Sequence, residues 1–250
     1  MRYILDISYR GTAYGGWQSQ PNAPSVQAAL EQALATILRS PVSVTGAGRT
    51  DAGVHARRQM AHFDWDEPLT GRILARVNGV LPRDIAVHTL YETPDPAFSC
   101  RFTATSRTYR YQVSTRKAPL LPDLAAWVRF PLDPDSMNEG AAWLMSYESF
   151  ESFCKSHSYN DHFRCRIDRA HWYAGEDGLL VFEITANRFL RGMVRAIVGS
   201  LIEVGRGVLT PEDFRRMIEA QDRRAAGPNA PPEGLFLWDI TYPEGTLRPV

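Results

Sequence analysis

The chain has 250 residues, 44% hydrophobic and 22% charged, with no low-complexity tract, a composition that supports one large or two modest folded domains. No run of eighteen apolar residues occurs, which excludes a membrane-spanning helix. The opening MRYILDISYRG has no small-residue cleavage site, so no secretory signal is expected. With 28 basic and 28 acidic side chains the formal net charge is +0, so affinity for a polyanion has to come from local clusters.

The predicted elements follow in chain order. RYILDISY (2–9) alternates as a strand, and the loop RGTAYGGWQSQPNAPS comes next. Val26, Leu30, Leu34, Ile37 and Leu38 share one helical face, with Ser25 as N-cap. PVSVTGAG reads as a second strand and QMAHFDW (59–65) as a third. TGRILARVNGVL (70–81) reads as a short helix capped by Thr70, and DIAVHTLYE (84–92) as a strand. The order β-α-β-β-α-β is the split βαβ arrangement of ferredoxin-like folds.

After the proline-rich joint ETPDPAFSCRF the pattern recurs. SRTYRYQVS (106–114) is a strand and DPDSMNEGAAWLMS a helix, and CRIDRAHWYAG and LLVFEITA form a hairpin around EDG. NRFLRGMVRAIVGSLIEVG is a helix, another starts at Thr210 with Pro211 in its first position, and GLFLWDITY is the last strand. The expected fold class is therefore α+β. Two ferredoxin-like βαββαβ halves, 1–95 and 104–250, would join into one extended, mostly antiparallel sheet with helices on one face. The opposite face would be a central cleft for a long ligand.

Between the second and third strands lies GAGRTDAGVHARR (46–58), with three glycines, three arginines and one acid, Asp51. Two readings fit it. Asp51 ties down nearby N–H groups in a glycine-rich turn, or it is a catalytic carboxylate kept ionised by arginines, which within about 4–6 Å lower an Asp pKa by about 1–3 units. His55 follows four residues later, too few ligands for a metal. Cys100, Cys154 and Cys165 are scattered and odd in number, as for reduced thiols in a cytoplasmic protein, and no metal is expected.

Charge is clustered. Ala97 to Lys117 holds five basic residues and no acid, Asn187 to Arg206 holds four arginines against Glu203, and arginine outnumbers lysine 26 to 2. Along SRTYRYQV, Arg107, Tyr109 and Tyr111 share one face of the strand and Arg110 takes the other. Tyrosines beside arginine suit base stacking with phosphate contact, at about 1–3 kcal/mol per base, or equally a core layer. In the helix from Arg188, the residues Arg188, Arg191 and Arg195 fall opposite the apolar side, next to Gly192 and Gly199. Because each interior glycine costs about 1 kcal/mol relative to alanine, either something passes close to that face or it is a solvated basic face. The early loop presents an aromatic and two glycines, and suits a lid or an RNA-contacting arm.

Taken together these stretches resemble the TruA-type tRNA pseudouridine synthases over nearly the whole chain. GAGRTDAGVHA is similar to that family's segment around its catalytic aspartate, RFTATSRTYRY to the one carrying its tyrosine, and NRFLRGMVRAIVGSLIEVG to the one carrying its arginine. PPEGLFLWDITYP resembles the family's ending, and SYRGTAYGGWQSQP its opening, with Arg10 where an acid is usual. The resemblance implies isomerisation of uridine to pseudouridine at positions 38, 39 and 40 of the tRNA anticodon stem-loop, without cofactor or metal. It implies that Asp51 is the essential carboxylate, acting at C6, at C1′ or on a sugar proton, all of which need it ionised. Arg195 would be its ion-pair partner, Tyr109 would stack on the uracil, and Arg49 would fill the vacancy left by the flipped base. It further implies a cytoplasmic homodimer in which one tRNA touches both subunits. Trp65 and Trp127 are the exposed aromatic candidates for that contact.

Overall fold

The computed structural model describes residues 1–117, 119, 121, 123–155 and 161–250. The chain packs as two units, Met1–Arg107 with Phe236–Val250, and Thr108–Leu235.

In the first unit β1 (Arg2–Tyr9) leads through a loop to α1 (Val26–Leu38). Ser25 Oγ accepts the Ala28 N–H at 3.2 Å and caps α1 as expected, while Val26, Leu30, Ala33 and Leu34 are buried. β2 is only Thr45–Gly46, shorter than the strand expected from PVSVTGAG. Pro41 has no N–H for a ladder, and Val44 is bonded to helix side chains: its N–H donates to Glu31 Oε1 (2.9 Å) and its carbonyl accepts from Gln27 Nε2 (3.0 Å). β3 (His55–Asp64) begins four residues earlier than read from sequence. In α2 (Ile73–Val80) the first turn is closed by the Thr70 carbonyl, which accepts Ile73 N–H at 3.0 Å; the helix N-cap is Arg72, without a side-chain cap bond. β4 (Ile85–Glu92) follows.

β1 pairs antiparallel with both β3 and β4, and β2 pairs antiparallel with β3, so the order is β4-β1-β3-β2. This is the βαββαβ half expected. Its core holds Tyr3, Ile4, Leu5, Ile7, Met60 and Phe63, all at most 2% exposed.

The second unit contains most of β5 (Ser106–Ser114), then β6 (Ala126–Trp127), α3 (Pro134–Ala142), β7 (Ile167–Ala174), β8 (Leu180–Ala186), α4 (Met193–Gly205) and α5 (Pro211–Ala220). β7 and β8 form the antiparallel hairpin read from the sequence, and β6 runs parallel to β5 from the Val113↔Ala126 pair. Asp133 caps α3 through Asp135 N–H at 3.1 Å. Thr210 and Asp213 form a reciprocal capping box on α5 with Pro211 in the first turn, which satisfies two of the helix's orphan N–H groups.

α4 differs from its sequence reading at both its start and its environment. It begins at Met193, because Gly192 adopts φ 72°, so Arg188 and Arg191 precede the helix. It is also buried nearly all round, as helices apolar on every side are.

The final strand, β9 (Leu235–Thr241), also departs from the sequence division at 104–250. It pairs in parallel with β3 at His55↔Phe236 and Ala56↔Leu237, within the first unit. A short β10 (Arg248–Pro249) adds to β4.

Candidate active site

The connection from β2 to β3 carries Asp51. Its main chain is tied down on both sides. Ala47 N donates to Met60 O (2.7 Å), Gln59 Nε2 to Gly48 O (2.9 Å) and Trp17 N to Thr50 O (3.2 Å). The Thr50 hydroxyl lies 2.9 Å from Tyr9 Oη. Gly53 N donates to Tyr14 O (3.3 Å), and Val54 N turns back to Asp51 O (3.1 Å). Asp51 is half-buried on this clamped turn, and Arg49 is exposed.

The early loop is one jaw of that clamp. Trp17 is only 3% exposed and Tyr14 9%, so the aromatic read as belonging to a lid or RNA-contacting arm is packed inward. A Cβ on Gly46 would stand 2.5 Å from Trp17 Nε1, a distance no side chain tolerates. Glycine is required there because the indole lies against the backbone.

His55, weighed in the sequence only as a metal ligand, has a structural place. It is buried, its Nδ1 accepts the Gly11 N–H at 3.0 Å, and its ring stacks on Phe236 with centroids 4.7 Å apart. It thus joins the early loop, the start of β3 and β9. Its place in the motif was visible, but its partners, Gly11 and Phe236, were not.

The motif's other arginines have definite partners. Arg57 lies 4.8 Å from the Trp238 ring centroid. Arg58 forks between Asp6 Oδ2 and Asp239 Oδ1, both at 2.9 Å. Burial works against the Arg58 charge, but the hydrogen bond to Asp239 and the charge of Asp6 outweigh it and hold its pKa above the ordinary value. The sequence reading had grouped both arginines with Asp51 as a positive field.

In the second unit β5 separates its two tyrosines. Tyr111 is fully buried and donates to Pro231 O at 2.8 Å, which makes it a core residue. Tyr109 is half-buried, its ring edge-on to Phe189 at 5.0 Å and 87°. Arg110 on the opposite face donates to Glu183 Oε2 at 2.7 Å. Arg107 donates to the carbonyls of Ala104 (3.2 Å) and Arg101.

Arg195 sits in the first turn of α4. Its Nε donates to Ala230 O at 2.7 Å, and Ala230 N donates back to Arg195 O at 2.9 Å. One turn on, a Cβ on Gly199 would overlap the Pro228 carbonyl oxygen, with Pro228 C at 3.0 Å and Ala230 N at 3.1 Å. What passes close to this face is therefore the chain's own 228–230 segment. The expected row of three arginines does not form: Arg188 lies against His162, and Arg191 is exposed with its carbonyl accepting Lys155 N–H at 2.8 Å.

Trp65 is half-buried, which removes it as an exposed aromatic. Trp127 is 43% exposed between Lys117 Nζ (5.4 Å) and the Arg129 guanidinium (4.6 Å). Cys100, Cys154 and Cys165 are buried free thiols. Among the described residues no three His, Cys, Asp or Glu side chains are grouped to hold a metal ion, and no helix is long and apolar enough to cross a membrane.

Two α+β units of related order, one carrying an acid on a clamped glycine-rich turn, agree with what comparison with known proteins finds. Residues 7–103 and 147–243 match the family described as tRNA pseudouridine synthase. The chain belongs to the tRNA pseudouridine synthase family. It is 48% identical over 245 residues to the tRNA pseudouridine synthase A of Parabacteroides distasonis, an alignment covering 97% of this chain and 96% of that one. It is 49% identical over 246 residues to the protein of the same name from Bacteroides thetaiotaomicron (97% and 91% covered), and 40% identical over 253 residues to that of Methylococcus capsulatus (98% and 90%).

Proposed function

We propose that the chain converts uridine to pseudouridine at positions 38, 39 and 40 of the tRNA anticodon stem-loop, with ionised Asp51 as its catalytic carboxylate. Family membership makes it an isomerase that acts on tRNA, and the positions and residue roles are the further step. The reaction breaks N1–C1′, turns the uracil over and joins C5 to C1′. C5 gives up its proton and N1 gains one, so atoms balance without a redox partner or group donor.

The observation that carries Asp51 is its mounting. Hydrogen bonds donated by Trp17 and Gln59 and accepted by the Tyr14 and Met60 carbonyls hold the backbone on both sides of one half-buried acid. A carboxylate is ionised at neutral pH and serves as nucleophile or base, and a fixed backbone supplies the orientation such chemistry needs. Tyr109, its ring set by Phe189, stacks on the uracil. Arg195, anchored to Ala230, supplies the cation of the substrate site. Extruding the base costs a few kcal/mol, and exposed Arg49 enters the vacancy. Three neighbouring targets require recognition of RNA shape and backbone rather than base edges. The working form is a cytoplasmic homodimer with one tRNA touching both subunits.

The test is Asp51→Asn on unmodified tRNA, with pseudouridine mapped by position and folding followed by circular dichroism. A folded variant should lose at least about a thousandfold in turnover. Retained turnover refutes the role of Asp51, and wild-type conversion at uridines other than 38, 39 and 40 refutes the positional assignment.

A further inference from the structure

A pocket of about 350 Å³ opens in the second unit between the segment leading into β7 and the segment leaving β8. His162, Arg164, Arg166 and Arg188 line it, together with Glu148 and Asn187. Asn187 fixes the two segments to each other: its Oδ1 accepts Arg166 N–H at 2.8 Å and its N–H donates to Arg166 O at 3.1 Å. The pocket's floor is therefore held by Asn187 bonding the Arg166 main chain rather than by the arginine side chains.

Its polar groups leave a specific gap. Arg164 N donates to His162 Nδ1 at 3.1 Å, which places the proton of the neutral ring on Nε2. Arg188 Nη1 lies 3.1 Å from that Nε2 and 3.3 Å from Nδ1. A guanidinium offers only donors, so Arg188 lies against the ring without accepting the Nε2–H, and an acceptor oxygen beside the two groups would take a hydrogen bond from each. Two of the pocket's arginines face carboxylates that are themselves exposed. Glu148 stands 3.9 Å from Arg164, each side chain about three-quarters exposed, and Asp168 takes Arg166 Nε at 2.8 Å. With Arg164 and Arg166 set against Glu148 and Asp168, the net positive charge at the pocket is that of Arg188.

We propose that this pocket seats a backbone phosphate of the tRNA, one oxygen accepting from both Arg188 and the His162 Nε2–H. The proposal rests on the tRNA reading of the chain. Phosphate is favoured because guanidinium forks match its geometry, and because Arg188 and the His162 Nε2–H are both donors set side by side.

The experiment measures equilibrium binding of unmodified tRNA across a salt series, with KM and kcat, for the wild type, Arg188→Ala and His162→Ala. His162 is exposed, so its variant leaves the fold intact if Arg188→Ala does not. Loss of the Arg188 contact should lower the slope of log K against log salt by about 0.7–0.9, and loss of either contact should raise KM roughly tenfold. An unchanged slope and KM in folded Arg188→Ala, or an unchanged KM in folded His162→Ala, with wild type binding tRNA normally, overturns the pocket alone. A wild type that neither binds nor modifies tRNA overturns the functional reading, and the pocket with it. Arg188→Lys should recover part of the affinity.

Discussion

Gly199→Ala sets two effects of opposite sign against each other. By helix propensity alone, alanine in the middle of α4 gains about 1 kcal/mol over glycine. The structure predicts the reverse. The new methyl would overlap the Pro228 carbonyl oxygen and stand 3.0 Å from Pro228 C and 3.1 Å from Ala230 N, so the backbone of 228–230 has to move away from the helix. Overpacking of this kind costs about 1–3 kcal/mol. The displaced segment also carries both hydrogen bonds between Ala230 and Arg195, worth about 1 kcal/mol for the backbone pair and about 1.5–3 kcal/mol for the guanidinium. Against the propensity gain, a net loss of about 2 kcal/mol is a conservative sum. With a urea m-value of about 2 kcal/mol per molar, the unfolding midpoint should fall by about 1 M. The same shift releases the Arg195 side chain, so kcat/KM on unmodified tRNA should fall with stability, which a purely structural defect measured well below its midpoint would not cause. A midpoint that rises, with activity retained, would show that nothing packs against this face and that helix propensity decides the outcome.

Two further perturbations probe the first unit. Arg58→Ala removes the cation shared by Asp6 and Asp239, whose side chains are 14% and 37% exposed. Urea titration should show a loss of about 1–3 kcal/mol, below that of a fully buried pair because solvent screens part of it, and Arg58→Lys should recover part. His62 is buried, and its Nδ1 accepts Cys100 N–H at 3.3 Å; burial first and nearby Arg2 second push its pKa below the ordinary histidine value. The unfolded chain then binds the proton more readily, so this contribution is complete above about pH 6.5 and is lost as pH falls towards the native pKa. The slope is at most about 1.4 kcal/mol per pH unit. Urea midpoints at pH 7.5 and 5.5 should converge in His62→Gln, and an unaltered pH dependence in that variant would refute the assignment.

Much of this molecule was readable from local pattern. The Ser25 and Thr210 caps, the β7–β8 hairpin and the β1 alternation all depend on bonds between residues a few positions apart, or on a period set by the backbone itself. The motif around Asp51 was equally visible, because three glycines and an acid in thirteen residues are unusual whatever surrounds them. Misreadings arose where distant chain, or one left-handed glycine, intervened. PVSVTGAG has strand composition, yet Gln27 and Glu31 of α1 capture Val44. Arg188 to Arg206 has helical spacing, yet Gly192 turns left-handed and delays the start. Trp17 in a glycine-rich loop looks exposed until Gly46 is found beneath it.

Sequence alone determined the class of fold and the family resemblance, since composition, period and motif are properties of the chain taken in order. Only the tertiary structure decided which tyrosine of β5 is core and which is half-buried, which partners take Arg57 and Arg58, and that residues 228–230 rather than a ligand press on Gly199. It also decided that the last strand closes the first unit beside His55. The physical reason is that these outcomes depend on burial and hydrogen-bond pairing between segments far apart in the chain, Arg195 and Ala230 being 35 residues apart and Arg58 and Asp239 being 181, and no local pattern encodes such a meeting.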